Sequence, residues 1–530
     1  MSDASLDFRD RAAAFRAAES QQFDLLVIGA GITGAGVARD AALRGLRVVL
    51  VDARDIAAGT SSRSSKMIHG GLRYLAQGDI ELVREAASER QTLRAIAPHL
   101  TRMIPFVVPG SLANTTKMRA GLKMFEKLGK VPKHERHDVW GTDELRANEP
   151  LLGADRFTGA VVYPEFLTND ARLTLANVRS AKAAGATVIT YAPVTKIIIE
   201  SGRAIGASIE GSLPGESLGA TIRARRIVNA AGPWVDAIRA IEDDTATQRL
   251  SITKGIHVVV PHERLPLTRT IAWTTSDKRT VFAVPSGPVT YLGTTDTFYP
   301  NHDDWPAIDW DDVSYVLAET ARAFSIEPIV ARDVVSMWAG VRPLISQSGK
   351  NPSEISRKDE VWQGPAGVLS IAGGKLTAYR TMAERVVDTI VSDLGVNVAS
   401  CSTATDLIVG GDLDVVEVKA KLAALLNDDA DADRLVNLFG SEAEVIVADG
   451  GDLRAEVTRA VVHEGTLTLA DYWVRRGARS WFTLDPVGAE LTAAAEIAGD
   501  LLAWSPERRV DEVAEVNRRH SDSLACLAGH

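Results

Sequence analysis

Residues 23–52 read FDLLVIGAGITGAGVARDAALRGLRVVLVD, and this stretch decides the fold. FDLLVI is an apolar run too short for a helix, so it reads as a buried strand. The run VARDAALRG has helical spacing, and LRVVLVD is a second strand. A strand, a glycine turn, a helix and a strand within about 30 residues make a βαβ unit. The turn is Gly29-x-Gly31-x-x-Gly34. Its first glycine permits the tight turn, its second lets backbone approach a pyrophosphate, and its third lets the helix lie close on the strand. The pyrophosphate then meets the positive end of the helix, beside Ala30 and Thr33. Asp52 closes the second strand, where a carboxylate can accept from a ribose hydroxyl. The expected ligand is a dinucleotide; the alternative is a tight strand-to-helix turn in another α/β protein.

Around this unit lies a chain of 530 residues with a formal charge of -10, long enough for two or three domains. With 45% hydrophobic and 24% charged residues, it has the composition of a soluble globular protein. A pI near 5.6 argues against general affinity for nucleic acid. Cys401 and Cys526 fit no metal spacing and no disulfide framework, so no metal is expected and a reducing compartment is. Residues 1–20 read as a frayed, Ala-rich polar leader without the apolar core of a secretory signal. No run approaches the roughly 18 apolar residues of a membrane span. The reading is a cytoplasmic chain that can still lie on a membrane surface. There are no internal repeats. The NDDADAD run at 427–433 lacks the glycine and distal Glu of a calcium loop and reads as a solvated loop or helix start.

The next stretch, SSRSSKMIHGGLRYL at 61–75, holds four serines, three cations and no acid. Two further segments, NAAGPW at 229–234 and IAGGKLT at 371–377, place small residues after an apolar run, where backbone can approach a ligand. A ligand touched by regions so far apart is long, which favours FAD over NAD. The cofactor contacts expected on this basis are Thr60, Ser61, Ser62, Ser64, Ser65, Lys66 and His69, then Ala231, Gly232 and Trp234, then Gly374, Lys375, Leu376 and Thr377.

Three cations stand beside glycines: Arg73 in GGLRY, Arg342 in GVRP and Lys375 in GGK. Arg offers a planar fork to phosphate or carboxylate, and Lys a point charge. Each alone reads as a surface ion pair, but their joint placement in glycine-rich turns suggests a shared anion site. Thr294 of GTTD can add a hydroxyl, or can be a strand-end turn capped by Asp296. His69 and His257 have interesting neighbours and are candidates for direct chemistry near neutral pH. Residues 251–299 alternate apolar and polar with several turn signals, as antiparallel strands do. After about Ser402 the chain becomes acid-rich and mostly helical.

IGAGITGAG, GTSSRSSKMIHGGLRYL, NAAGPWV, KGIHVVVP, GTTD, GVRPL and GGKLTAYR occur in the order found in FAD-dependent glycerol-3-phosphate dehydrogenases of the aerobic type. The chain resembles this family closely over about residues 22–400 and more loosely beyond. The resemblance implies an α/β fold, α+β over the whole chain. Its FAD-binding Rossmann-like domain would be of the glycine-oxidase and D-amino-acid-oxidase type, with an inserted antiparallel substrate domain and a helical C-terminal domain. The implied division gives 21–100, 160–245 and 335–400 to the FAD domain, 101–159 and 246–334 to the substrate domain, and 401–530 to the helices. The implied reaction oxidises sn-glycerol 3-phosphate to dihydroxyacetone phosphate by hydride transfer to FAD, with electrons passed on to membrane quinone. Carried over by motif, Arg73, Tyr74, Thr294, Arg342 and Lys375 form the substrate pocket, and Lys375 stands near the flavin. Arg342, His69, His257 and Lys375 are the catalytic candidates, with the proton acceptor left open between groups. Within the opening stretch, residues 61–66 would face FAD and 70–74 the substrate phosphate, both anions, which accounts for the lack of acid.

A quinone acceptor implies a membrane contact. Residues 117–130, KMRAGLKMFEKLGK, place Met118, Leu122, Phe125 and Leu128 on one helical face, with five cations against the single acid Glu126. A basic amphipathic helix of this kind can lie in a membrane interface; its alternative is a surface helix that turns its apolar side onto the protein. Competing functions are an oxidase of the same fold using oxygen or acting on an amine, and a binding protein on a degenerate FAD scaffold. The intact glycine turn counts against the last. A homodimer could form.

Overall fold

In the computed structural model the chain describes residues 4–69, 80–128, 131–346 and 359–530. The opening stretch forms β1 (Gln22–Ile28), α2 (Ile32–Leu43) and β2 (Val48–Val51), with β1 and β2 parallel and Leu25 opposite Val48. They sit in a sheet whose main path runs β17 (Glu360–Gln363), β18 (Leu369–Ala372), β10 (Gly219–Asn229), β1, β2 and β7 (Thr187–Ile189). β8 (Val194–Glu200) and β9 (Arg203–Glu210) extend it from β10 as antiparallel strands. Strand β1 is buried on both faces, as an unbroken apolar run requires. Leu25 and Val27 point to α2 and to the helices Asp170–Ala183 and Tyr379–Leu394; Phe23, Leu26 and Ile28 point to the other side, toward β8–β10.

That second side is also covered by α1 (Arg11–Glu19), which corrects the expectation of a frayed leader. Phe15 and Ala18 are buried against the sheet. Arg11 donates to the Thr190 carbonyl at 2.8 Å and pairs with Glu216, and Asp10 caps the helix by accepting from Ala13. A short Ala-rich helix has little apolar signal of its own, and here one aromatic and one arginine dock it. Ahead of it, Leu6 forms a parallel bridge with Glu464 and donates to the His463 carbonyl at 3.1 Å.

The second sheet follows the path β15 (Thr297–Phe298), β11 (Leu250–Pro261), β14 (Val289–Gly293), β13 (Thr280–Ser286), β12 (Thr270–Thr274), β4 (Arg102–Gly110), β6 (Gly159–Leu167) and β3 (Met67–Ile68). β16 (Ser336–Ile345) pairs with β11, and β5 (Asp138–Trp140) with β6. The antiparallel pairing expected for 251–299 is present. Three strands that the sequence division gave to the cofactor half, β3, β6 and β16, belong to this sheet. Their pairing partners, β4 for β6 and β11 for β16, place them there, and segment boundaries alone do not reveal it. Along β11, Ile256, Val258 and Val260 face the helix Trp310–Ala323, and His257 and Val259 face the opposite side.

Residues after 401 are helical, as expected, and are fixed to the cofactor half by buried ion pairs such as Arg172–Glu464 at 2.6 Å. Among the described residues, no helix is long and apolar enough to cross a membrane.

The helix Leu112–Leu128 forms, but the structure corrects its reading as a membrane anchor by its apolar face. Leu122 and Phe125 are buried and Met118 lines an internal cavity, so that face is turned onto the protein. The same spacing serves both destinations, which is why the pattern alone pointed the wrong way. Arg119, Lys123 and Lys127 are exposed; the side chains of Lys117 and Leu128, and Lys130 entirely, lie outside the described residues.

Candidate functional site

The glycine turn has the geometry a pyrophosphate cradle needs. Gly29 has φ +106°, and a Cβ there would lie 2.6 Å from the Ala230 carbonyl oxygen. A Cβ on Gly34 would overlap the Gly29 carbonyl, so that glycine lets the helix sit tight on the turn. Gly31 is the N-cap of α2, and the amides of Ile32, Thr33 and Gly34 precede the first intrahelical bond. Ser61 Oγ accepts from Ile32 N–H at 2.9 Å, which brings the serine stretch onto the helix start. Asp52 accepts from the Ala30 amide at 2.6 Å and the Arg54 amide at 2.8 Å, and burial raises its carboxyl to about 6 despite those bonds. It therefore shapes the turn with its own oxygens at the position where a ribose was expected.

Residues 59–66 run beside that turn. Thr60 Oγ1 donates to the Val341 carbonyl at 2.7 Å, and Ser62 is buried. Trp234 packs over Gly59, where a Cβ would come within 2.9 Å of the ring, and Gly232 has φ +55°. The acid missing from the stretch arrives from elsewhere. Asp170 accepts from Ser64 N–H at 2.9 Å, from Ser64 Oγ at 2.7 Å and from Lys66 Nζ at 2.7 Å. Lys66 also donates to the Ser62 carbonyl at 2.8 Å. Its charge is thus committed to an internal carboxylate, while burial lowers its pKa. The expectation that no acid stands here fails because the partner lies 104 residues away in sequence.

A cavity of about 1060 Å³ joins the cofactor loops to the second sheet. Thr60, Ser64, Ser65, His69, Gly374, Lys375, Leu376 and Thr377 line it on the cofactor side, and His257, Thr294 and Arg342 on the sheet side. Thr377 Oγ1 donates to the His69 carbonyl at 3.4 Å. Gly373 and Gly374 both have φ +80°, a backbone that glycine adopts without strain, and so present Lys375 at the wall. A pyrophosphate-ready turn, an adjacent serine loop and glycine-backed walls fit an extended dinucleotide such as FAD. Phe106, Met118, Phe157 and Phe282 form the other, apolar end.

Arg342 and Thr294 meet as the sequence suggested. Arg342 donates from Nη2 to Thr294 Oγ1 at 3.1 Å and from Nη1 to Asp296 at 3.1 Å. Gly255 on β11 makes room: a Cβ there would overlap both Thr294 Oγ1 and the guanidinium. Gly255 was missed, although glycine inside a strand signals close approach of another group. His257 is buried, with Nε2 3.0 Å from Ser65 Oγ and its ring stacked on Trp338 at 4.6 Å. Burial, then Arg342 and Lys66, hold it well below the usual imidazole range, so it is neutral near pH 7. Its Nδ1 has no hydrogen-bond partner among the described residues. Glu165, paired with Arg90 at 3.1 Å, is a wall carboxylate with no sequence signal. Arg73 and Tyr74 lie outside the described residues.

The comparisons with known proteins agree with this arrangement. Residues 24–380 match the family model described as FAD dependent oxidoreductase, and residues 401–509 match the C-terminal domain of alpha-glycerophosphate oxidase. The chain is 36% identical over 535 residues to an aerobic glycerol-3-phosphate dehydrogenase of Bacillus subtilis, covering 95% of this chain and 96% of that one. It is 36% identical over 515 residues to the Staphylococcus aureus enzyme of the same name, covering 92% of each. The solved glycerol-3-phosphate dehydrogenase of Bacillus halodurans, complexed with FAD, superposes with a TM-score of 0.82 at 32% identity over 99% of both chains. The glycine turn, the family match and these relatives together establish that the chain belongs to the FAD-dependent oxidoreductases, in the group of the aerobic glycerol-3-phosphate dehydrogenases.

Proposed function

We propose that the protein oxidises sn-glycerol 3-phosphate to dihydroxyacetone phosphate and delivers the electrons to membrane quinone. The observation that carries the reading is the hydrogen-bonded Arg342–Thr294 pair, which lines one cavity together with Lys375, His69 and the cofactor loops. Bound FAD supplies the acceptor for the hydride leaving C2. The chain's own part is binding and charge. Arg342 presents a planar fork and Lys375 a point charge to the phosphate ester, and Thr294 offers a hydroxyl. With FAD held by the loops that line the same cavity, Lys375 would also offer positive charge against negative charge developing on the flavin. The C2 hydroxyl proton goes to His69 or His257; His257, kept neutral by burial, is in its basic form at pH 7.

The test is anaerobic mixing of the purified flavoprotein with glycerol 3-phosphate, glycerol and glycine. Bleaching of the flavin band by the phosphate ester alone is expected, and its absence would sink the reading. An oxygen-using oxidase is the second reading, favoured by the description of the family matched at residues 401–509. Stoichiometric peroxide in air, with no reduction of a short-chain quinone, would select it.

Membrane contact is proposed through the exposed cations Arg119, Lys123 and Lys127, by attraction to anionic lipid rather than by insertion. Each such cation contributes about 1 kcal/mol near the surface. Reversing all three to Glu should therefore abolish binding to anionic vesicles; unchanged binding would remove the helix from the contact.

A further inference from the structure

The C-terminal domain reaches the cofactor loop at two separate points, and both contacts come from one short segment, 471–482. At the first, Asp55 is fully buried and accepts from Arg475 and Arg476, including Arg476 Nη2 at 2.8 Å. Arg475 is held in turn by Asp471 at 2.6 Å, which also accepts from Tyr191 OH at 2.6 Å. At the second, Trp481 and Phe482 bring their rings to 5.1 and 5.7 Å from Lys66 Nζ, beside Trp338 at 5.5 Å.

Each contact is linked through a few residues of the loop to the turn that cradles the pyrophosphate. Two residues after Asp55, Ala57 donates to the Ala30 carbonyl at 3.1 Å; three residues before it, Asp52 accepts from the Ala30 amide. Lys66 donates to the Ser62 carbonyl, and the neighbouring Ser61 Oγ accepts from the first amide of α2. The two ends of loop 52–66 are thus pinned by one segment, and the loop pins both Ala30 and the helix start.

We propose that segment 471–482 is a positioning element for FAD, with Arg475 and Arg476 holding Asp55, and Trp481 and Phe482 holding Lys66. The inference rests on FAD lying against 29–34 and 59–66. It gives the C-terminal domain a task in cofactor retention that is exerted through loop 52–66.

The test compares release of FAD from holoenzyme variants, followed by the rise in free-flavin fluorescence. Arg476→Gln and Trp481→Leu are expected to speed release about tenfold, a size usual for coupling between sites. In the fraction that retains FAD, KM for glycerol 3-phosphate should stay within about twofold, since binding at the far wall is unaltered. Arg476→Lys should restore part of the retention. Arg179→Gln is the control, because it breaks ion pairs with Glu442 and Glu464 in the same domain interface without a described contact to loop 52–66. Equal release from Arg179→Gln and Arg476→Gln at matched loss of thermal stability would overturn the proposal. If Arg476→Gln fails to fold, Trp481→Leu decides alone, and release at the wild-type rate overturns it. Gly31→Val reports on the underlying site: FAD retention unaffected by it would fault the placement of FAD, not the coupling.

Discussion

Arg342 and Arg476 are the same side chain put to two uses. Arg342 stands on a cavity wall with a fifth of its side chain exposed and, among the described residues, bonds to the Thr294 hydroxyl, the Thr295 carbonyl and Asp296. Arg476 is 1% exposed and faces the 0% exposed Asp55, which Arg475 shares. In a buried interface the charges are balanced by carboxylates, because an uncompensated buried ion is costly. On the cavity wall the guanidinium is anchored by Thr294 and Asp296 and lines the space where the phosphate ester is proposed to bind. A cation that serves a ligand is recognised by its setting, which the neighbouring glycines announce. A cation that serves the fold is recognised only by its partner.

The sharpest way to break this comparison is Asp55→Ala. Arg476 would be left buried without its paired carboxylate and Arg475 with Asp471 alone, and a loss of about 3–5 kcal/mol of stability is expected in denaturant or thermal unfolding. Next comes Arg342→Met, which should lower kcat/KM for glycerol 3-phosphate roughly 10- to 150-fold, the worth of charge-assisted hydrogen bonds. Its unfolding midpoint should barely move; a large loss of stability with intact catalysis would reverse the assignment of roles. Gly255→Ala tests whether the Arg342–Thr294 angle matters, since the added methyl collides with both. It should cost about 1–3 kcal/mol, shared between stability and KM, with the wild-type fold retained by circular dichroism.

The smallest effect concerns a group that the C-terminal interface keeps neutral. His99 is buried, and burial followed by the charge of Arg172 lowers it to about 3. In the unfolded chain it takes a proton near pH 6.5, so the folded state binds fewer protons between those values. Stability is therefore complete above pH 6.5 and is lost as pH falls toward 3. At pH 5 the loss should be on the order of 1–2 kcal/mol, and His99→Gln should flatten that part of the pH–stability curve. An unchanged slope would show that His99 is not the group responsible.

What the sequence disclosed follows the same division. The βαβ unit was legible because strand, turn, helix and acid lie within one short stretch, and each glycine has a local reason. Arg342, Thr294 and Lys375 were legible through the glycines and turns beside them. Asp170 and the Arg475–Arg476 pair were not, because their partners stand 104 and about 420 residues away, and a charge without its partner reads as a solvated one. Helix Leu112–Leu128 was misread for a different reason: the apolar stripe states that a face is buried, not what buries it. Strands β3, β6 and β16 lie in segments that read as part of the cofactor half, because nothing local assigns a strand to one of two sheets.

The bridge between Leu6 and Glu464 has a consequence for biosynthesis. Ser5 donates to a carbonyl 457 residues further along the chain, at 3.0 Å. At roughly 5–20 residues per second of translation, that partner is made between about 20 and 90 seconds later. The helix Arg11–Glu19 can dock as soon as its sheet exists, whereas the residues before it must wait for the C-terminal domain. Closure of the amino-terminal segment is thus a late event in the life of the nascent chain, and it marks the point at which the domain that grips the cofactor loop has arrived.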